Sequence, residues 1–130
     1  MGDRGNIAVL QSDKSQIWLY SHWGGSGLPE RLKQGLAAGR GRWNDESYLT
    51  KIIFGYAVPS DNWKEETGYG ISGCIQDNSH PISVVDIPRQ KVFTMDEGLL
   101  VGGKVPEGFT PDPKRIWSFE EYVALAEVED

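Results

Sequence analysis

The stretch NIAVLQSDKSQIWLYSHWGGSGLPERLKQGLAAG, residues 6–39, decides the fold because it contains two kinds of periodicity separated by one turn. Apolar and polar residues alternate on both sides of SDKS (12–15), which predicts two strands joined as a hairpin. After HWGGSG (22–27), leucines recur every fourth residue, with Pro29 at the first helical position and Gly39 at the end. The stretch therefore predicts a strand–strand–turn–helix unit.

Downstream of this unit, local signals predict a second helix and then a small sheet. Asp45 is a candidate N-cap for the helix. An apolar face follows it at helical spacing, formed by Tyr48, Leu49, Ile52, Ile53, Tyr56 and Ala57. GYGISGCI (68–75), ISVVDI (82–87) and KVFTM (91–95) are typical of strands. Residues 98–114 are rich in glycine and proline and are predicted to form an irregular loop.

The C-terminal region predicts a last helix, because Ser118 and Glu121 have the spacing of a capping box at the start of SFEEYVALAE (118–127). One short strand is expected at Leu99–Val101 within the irregular loop. Runs of strands and runs of helices favour an α+β fold. We therefore predict a single α+β domain over residues 1–130, with a mainly antiparallel sheet, two central helices and a C-terminal helix.

The composition of the chain excludes several classes of protein. The 130 residues, 38% hydrophobic and 25% charged, are enough for one buried core. A net charge of −6 argues against general nucleic-acid binding, which needs a basic surface. No apolar run approaches the roughly 20 residues of a membrane-spanning helix. A single cysteine, Cys74, and the lack of a secretion signal predict a cytoplasmic protein.

The glycine-rich turn Gly24–Gly27 is the strongest candidate for a binding site. A strand, a glycine-rich turn and a helix in that order often bind phosphate, because backbone N–H groups and the helix dipole favour an anion. His22 and Trp23 precede this turn, and Arg31 follows it near the start of the helix. The pattern is neither a P-loop nor a dinucleotide fingerprint. A tight turn that uses glycine for its backbone angles is the alternative interpretation.

Aromatic and arginine side chains in polar loops extend the predicted site. The candidates for stacking on a nucleobase are Trp23, Trp43, Trp63 and Tyr69. Arg40 and Arg42 lie beside Trp43 and offer planar, bidentate donors to phosphate. An aromatic lid over the core and a solvated connection between helices are the alternatives. The predicted ligand-binding residues are therefore His22, Trp23, Gly24, Gly25, Ser26, Gly27, Arg31, Arg40, Arg42, Trp43 and Tyr69.

Catalysis is a further alternative, based on His22 or His80 as the reactive group. The sequence contains no HxH, HExxH or CxxC spacing, so we predict neither a metal site nor a cofactor. Cys74 lies in a predicted strand, where a buried and unreactive thiol is the usual outcome. Asp77 and His80 lie close together in QDNSHP (76–81), but a polar turn explains that cluster equally well.

Two segments resemble a family of small uncharacterised proteins from bacteria and their phages. They are LYSHWGGSGLPERLKQGLAAGRGRWNDESYLTKIIF (19–54) and ETGYGISGCIQDNSHPISVVD (66–86). The shared features are a YxHWxG turn, a short helix, a WND element, a second helix and an ETGxGI strand, over roughly residues 5–95. The resemblance implies a phage or prophage accessory protein of the bacterial cytoplasm, in which binding is favoured over catalysis.

Three hypotheses about function follow. The first is a non-enzymatic protein that binds a small anionic ligand, most simply a nucleotide, and sequesters a nucleotide immune signal, with a possible homo-oligomer closing the pocket. The second is an inhibitor of a host defence protein that uses its acidic C-terminal helix and tail. The third is a small nucleotide hydrolase or transferase that uses His22 or His80.

Overall fold

The computed structural model describes residues 2–58 and 67–128, and it has six strands in these ranges. The strands are β1 (Gly5–Leu10), β2 (Gln16–Ser21), β3 (Tyr69–Ser72), β4 (Ile82–Asp86), β5 (Lys91–Met95) and β6 (Ile116–Ser118). They form one sheet in the order β3-β2-β1-β4-β5-β6. Every neighbouring pair is antiparallel except β1 and β4, which are parallel.

In the part of the chain that the structure describes, three α-helices accompany the sheet: α1 (Leu28–Ala38), α2 (Glu46–Ala57) and α3 (Phe119–Val123). The starts of all three helices and the end of α1 agree with the sequence signals, whereas α3 ends at Val123 and not at the predicted Glu127. Pro29 lies in the first turn of α1, and Gly39 ends it. Asp45 caps α2 by accepting a hydrogen bond from the Tyr48 N–H. The capping box of Ser118 and Glu121 is formed at the start of α3, although that helix is only five residues long.

The predicted α+β fold with a mainly antiparallel sheet is confirmed. β1 and β4 lie at the centre of the sheet, and nearly all their residues are buried. Because side chains alternate between the two faces of a strand, Ile7 and Val9 point to one face and Ala8 to the other. The sheet therefore carries an apolar core on each face.

The two cores are covered by different kinds of structure. One face packs against all three helices, including Leu32, Leu36 and Ile53. The other face contains Trp18, which is fully buried, and is covered mainly by the segment between β5 and β6, including Val105 and Phe109. The segment predicted to be an irregular loop thus covers the face of the sheet that the helices leave open.

Two local predictions about secondary structure are wrong in detail. No strand forms at Leu99–Val101: a single 3-10 turn covers Glu97–Leu99, and Val101 makes one isolated bridge with Lys104. The apolar face of α2 is also rotated from the predicted one, because Tyr48 and Tyr56 are exposed whereas Phe54 and Thr50 are buried. Tyr48 is 55% exposed to solvent, and Tyr56 is 44% exposed.

No helix within residues 2–58 and 67–128 is both long enough and apolar enough to cross a bilayer.

Candidate functional site

The glycine-rich turn lies at the end of the sheet where β2 finishes and β1 begins. Its residues Gly25–Gly27 form a 3-10 turn that runs directly into α1. Gly25 packs against the backbone of Arg4 and Gly5, where an added Cβ would lie 2.6 Å from the Gly5 nitrogen. Any other residue would force the two segments apart, so glycine is required here for close backbone packing.

The N–H groups of this turn already have acceptors within the chain. Gly24 donates to the Ser21 hydroxyl at 2.9 Å, and Gly25 donates to the carbonyl of Asp3 at 2.7 Å. Ser26 donates its N–H to the Asp3 carboxylate at 3.0 Å, and its hydroxyl donates to the same oxygen. The place where the sequence predicts a bound phosphate, in front of the N–H groups of the turn, is thus occupied by the carboxylate of Asp3.

The electrostatics of Asp3 follow from these contacts. Hydrogen bonds from the Ser26 hydroxyl, from His80 and from the Ser26 N–H lower the pKa of Asp3 to about 2. His80 Nε2 contacts the second carboxylate oxygen of Asp3. Ser26 and His80 therefore both face a carboxylate, whereas nucleophilic catalysis needs the histidine between the hydroxyl and the carboxylate. The geometry does not assemble a Ser–His nucleophile pair.

Arg31 brings a cationic group to the other side of the turn. Its Nη1 atom is buried and has no hydrogen-bond partner among the residues that the structure describes. A methyl group placed on Gly24 would lie 2.9 Å from this atom, 3.1 Å from Ser21 Oγ and 3.7 Å from Tyr69 Oη. Three polar groups that are able to donate hydrogen bonds thus surround Gly24.

Trp23 and His22 form the aromatic part of this region. Tyr20 Oη and His22 Nδ1 are 2.6 Å apart, and the His22 ring meets Trp23 edge-on with a centroid separation of 5.0 Å. Trp23 lies over Gly68, whose φ of +89° and lack of a side chain make room for the indole. The indole is nevertheless 62% exposed. It therefore presents a large apolar surface to solvent beside Gly24.

Arg40, Arg42 and Trp43 lie at the opposite end of α1, about 16 Å away for a helix of this length. Arg40 is paired with Glu120 and lies 4.8 Å from the centre of the Trp43 ring. Arg42 lies 4.8 Å from the Tyr48 ring. Trp43 donates to the Leu36 carbonyl at 3.0 Å and packs against the helix-covered core. These three residues do not join those around Gly24–Gly27.

The remaining candidates are distributed elsewhere. Trp63 lies outside the described residues. Cys74 is partly buried and is not disulfide-bonded. Of the acidic groups on the C-terminal helix, Glu120 pairs with Arg40 and Glu121 belongs to the capping box. In the described ranges, no group of three or more His, Cys, Asp or Glu side chains is placed to hold a metal ion.

Sequence reasoning missed three residues of this region, Asp3, Tyr20 and Ser21, and it considered His80 only as a catalytic group or as part of a turn with Asp77. The strand periodicity of β2 contained a signal for one of them, since Tyr20 and His22 are two residues apart and so share a face. Asp3 had no such signal, because it reaches Ser26 and His80 only through the tertiary fold.

No protein-family model, curated protein sequence or solved structure matches the chain.

Proposed function

We propose that the protein binds a small anionic ligand beside Gly24, where Trp23, Arg31 and Tyr69 lie around the buried Ser21, and we name this region the turn site. The observation that carries the proposal is the buried Nη1 atom of Arg31, which has no partner among the described residues. A buried donor without a partner costs about 1–3 kcal/mol, and more when the group is charged. An anionic oxygen at this position removes that cost.

The ligand is contacted by side chains in this proposal, and the turn backbone has a supporting role. The N–H groups of Gly24–Gly27 are committed to Ser21, Asp3 and Gly24 itself, so they hold the turn in shape. Arg31 then supplies charge, and the Tyr69 hydroxyl supplies a further donor near Gly24. The fully buried Ser21 hydroxyl accepts from the Gly24 N–H and helps to fix the turn. Charge-assisted hydrogen bonds from arginine to phosphate are among the strongest in proteins.

The exposed indole of Trp23 favours a ligand that also has a flat apolar part. Nucleobases stack on such rings with about 1–3 kcal/mol per base. An anion next to an aromatic surface therefore favours a nucleotide over inorganic phosphate. In this proposal the protein holds the nucleotide without converting it and acts in the bacterial cytoplasm as a sponge for a nucleotide signal of host defence, the role implied by the family resemblance.

The test is binding of linear, cyclic and sugar nucleotides, first by native mass spectrometry and then by calorimetry on each nucleotide retained. Mass spectrometry also reports the number of subunits and any converted product. The Arg31→Gln variant is expected to weaken binding about tenfold or more, because it removes a charge-assisted pair. The Trp23→Leu variant is expected to weaken binding of nucleotides but not of inorganic phosphate.

The matched control is Arg42→Gln, which removes the same charge at the far end of α1. It is expected to leave the affinity for the nucleotide unchanged, because Arg42 lies against Tyr48 and not at the turn site. Equal weakening by Arg31→Gln and Arg42→Gln would contradict the proposal, since it would indicate a general charge effect. Conversion of the nucleotide to a product would replace binding with catalysis.

A further inference from the structure

A cavity lies on the loop-covered side of the sheet, near the hairpin between β1 and β2 and the turn between β4 and β5. Its cavity volume is about 560 Å³. Pockets for small molecules typically measure about 300–1,000 Å³. The turn site is elsewhere, since no residue of Ser21–Arg31 lines this cavity. We name this cavity the basic groove.

The floor of the basic groove is apolar and partly aromatic. Phe93 of β5 and Phe109 of the covering loop stack with a centroid separation of 5.7 Å and an interplanar angle of 24°. Ile116 and the buried Val105 extend the apolar lining. Such a floor favours an apolar ligand body, because burial of apolar surface is the main source of affinity in pockets of this kind.

One wall of the groove is fixed to the sheet by a single side chain. The Gln16 amide donates to the Val105 carbonyl at 2.8 Å and accepts from the Val105 N–H at 3.1 Å. The two bonds reproduce the pairing of neighbouring strands and hold the covering loop on β2. The cavity is thus formed before any ligand arrives, which lowers the entropic cost of binding.

The rim of the groove is basic although the whole chain is acidic. It contains four cations, Lys14, Arg89, Lys91 and Lys104, and two acids, Asp86 and Glu107, whereas the chain has a net charge of −6. Each acid forms an ion pair with one of the cations: Glu107 with Lys14 at 3.4 Å and Asp86 with Arg89 at 3.8 Å. Lys91 and Lys104 form no ion pair with a carboxylate of the described residues. Hydrogen bonds from Ser118 and the nearby charge of Lys91 lower the pKa of Glu121, so Lys91 already faces a carboxylate at a longer distance. Lys104 is therefore the main cation that remains to receive an anion, and Lys91 adds to its field.

We infer that the basic groove binds a free small molecule with an apolar or aromatic body and one anionic group, such as a carboxylate or sulfonate. The body lies on Phe93 and Phe109, and the anionic group faces Lys91 and Lys104. The apolar floor disfavours a compact inorganic anion, and the positive rim at Lys104 and Lys91 favours an anionic group over a neutral one. This inference does not depend on the proposed turn site.

The test uses anilinonaphthalene sulfonate as a fluorescent probe and decanoate as its competitor. Decanoate is expected to displace the probe, whereas neutral decanol of equal chain length displaces it poorly. The double variant Lys91→Gln/Lys104→Gln is expected to bind the probe about tenfold more weakly. The matched control Lys51→Gln/Arg42→Gln removes two exposed cations outside the groove and is expected to bind the probe like the unmodified protein.

Nuclear magnetic resonance then locates the competitor on the folded protein. Decanoate is expected to shift the signals of the Gln16 side-chain amide and the Val105 N–H, and to leave those of Gly24–Gly27 unchanged. Equal displacement by decanol, or equal probe affinity of the groove variant and the unmodified protein, would overturn the inference. Shifts confined to Gly24–Gly27 would also overturn it, while supporting an anion at the turn site. Both lysines are exposed, so thermal unfolding of the variants should match that of the unmodified protein.

Discussion

The two ends of α1 carry the same residue types in opposite circumstances. At its start, the Nη1 atom of Arg31 is buried and has no hydrogen-bond partner within residues 2–58 and 67–128, and Trp23 nearby is largely exposed. Beyond its end, Arg40 is exposed and paired with Glu120, and Trp43 packs against the core. An arginine is available to a ligand when its hydrogen bonds are not already made, and the partners of each side chain decide this.

The largest expected difference between the two ends concerns the tryptophans. Trp43→Ala should lower the free energy of unfolding by about 2–4 kcal/mol, because it removes a ring that packs on Phe119 and bonds to Leu36. Trp23→Ala should cost less than about 1 kcal/mol, because that ring is 62% exposed. Urea unfolding of both variants measures the two values. Equal losses would contradict the assignment of Trp43 to the core and Trp23 to the surface.

The next effect concerns the carboxylate that occupies the turn. Asp3→Asn should lower the free energy of unfolding by about 1–2 kcal/mol at neutral pH, because Ser26 and His80 lose their charged acceptor. Since folding lowers the pKa of Asp3 to about 2, its contribution is complete above the unfolded value of about 3.9. The contribution is then lost as the pH falls towards 2. Denaturation of both proteins across this pH range measures the difference.

The control for this prediction is Ser26→Ala, made alone and together with Asp3→Asn. Because the two residues share the same hydrogen bonds, the double variant should be less destabilised than the sum of the single variants. Additive losses, or a difference between the unmodified protein and Asp3→Asn that persists below pH 2, would show that Asp3 stabilises the fold in another way.

The smallest effect separates the two arginines. Arg31→Met should leave the free energy of unfolding unchanged or raise it by up to about 1 kcal/mol, because it removes a buried donor to which no described residue offers an acceptor. Arg40→Met should lower it by about 0.5 kcal/mol, because the pair with Glu120 is exposed to solvent. Thermal unfolding at matched ionic strength compares them. A larger loss for Arg31→Met than for Arg40→Met would mean that Arg31 stabilises the fold.

Signals carried by neighbouring residues predicted most of the secondary structure. The hairpin, the start and end of α1, the cap of α2 at Asp45 and the capping box at Ser118 all depend on residues a few positions apart. The covering loop was predicted to be irregular, but its burial of Trp18 was not predicted. Val105 of this loop shares the second core with Trp18 and bonds to Gln16, and both are contacts between distant parts of the chain.

The residues of the predicted site fall into two separate groups in the structure, because their positions in space depend on the tertiary fold and not on local sequence signals. Residues around Gly24–Gly27 lie together because they are neighbours in sequence, and Tyr69 joins them because β3 pairs with β2. Arg40 and Arg42 are also near Arg31 in sequence, but the helix between them carries them to its other end. Periodicity predicts that a helix forms, yet it does not reveal which groups gather at each end.

The central pairing of β1 with β4 has a consequence for how the chain folds. Ile7 lies opposite Ser83 in that pair, so the middle of the sheet joins two strands that β2, α1, α2 and β3 separate in sequence. Contacts so distant in sequence slow folding, because closing a long loop loses chain entropy before any contact compensates for it. We therefore expect the β1–β2 hairpin and the α1–α2 pair to form early and the pairing of β1 with β4 to form last. The amide hydrogens of β1 and β4 should then exchange only on global unfolding.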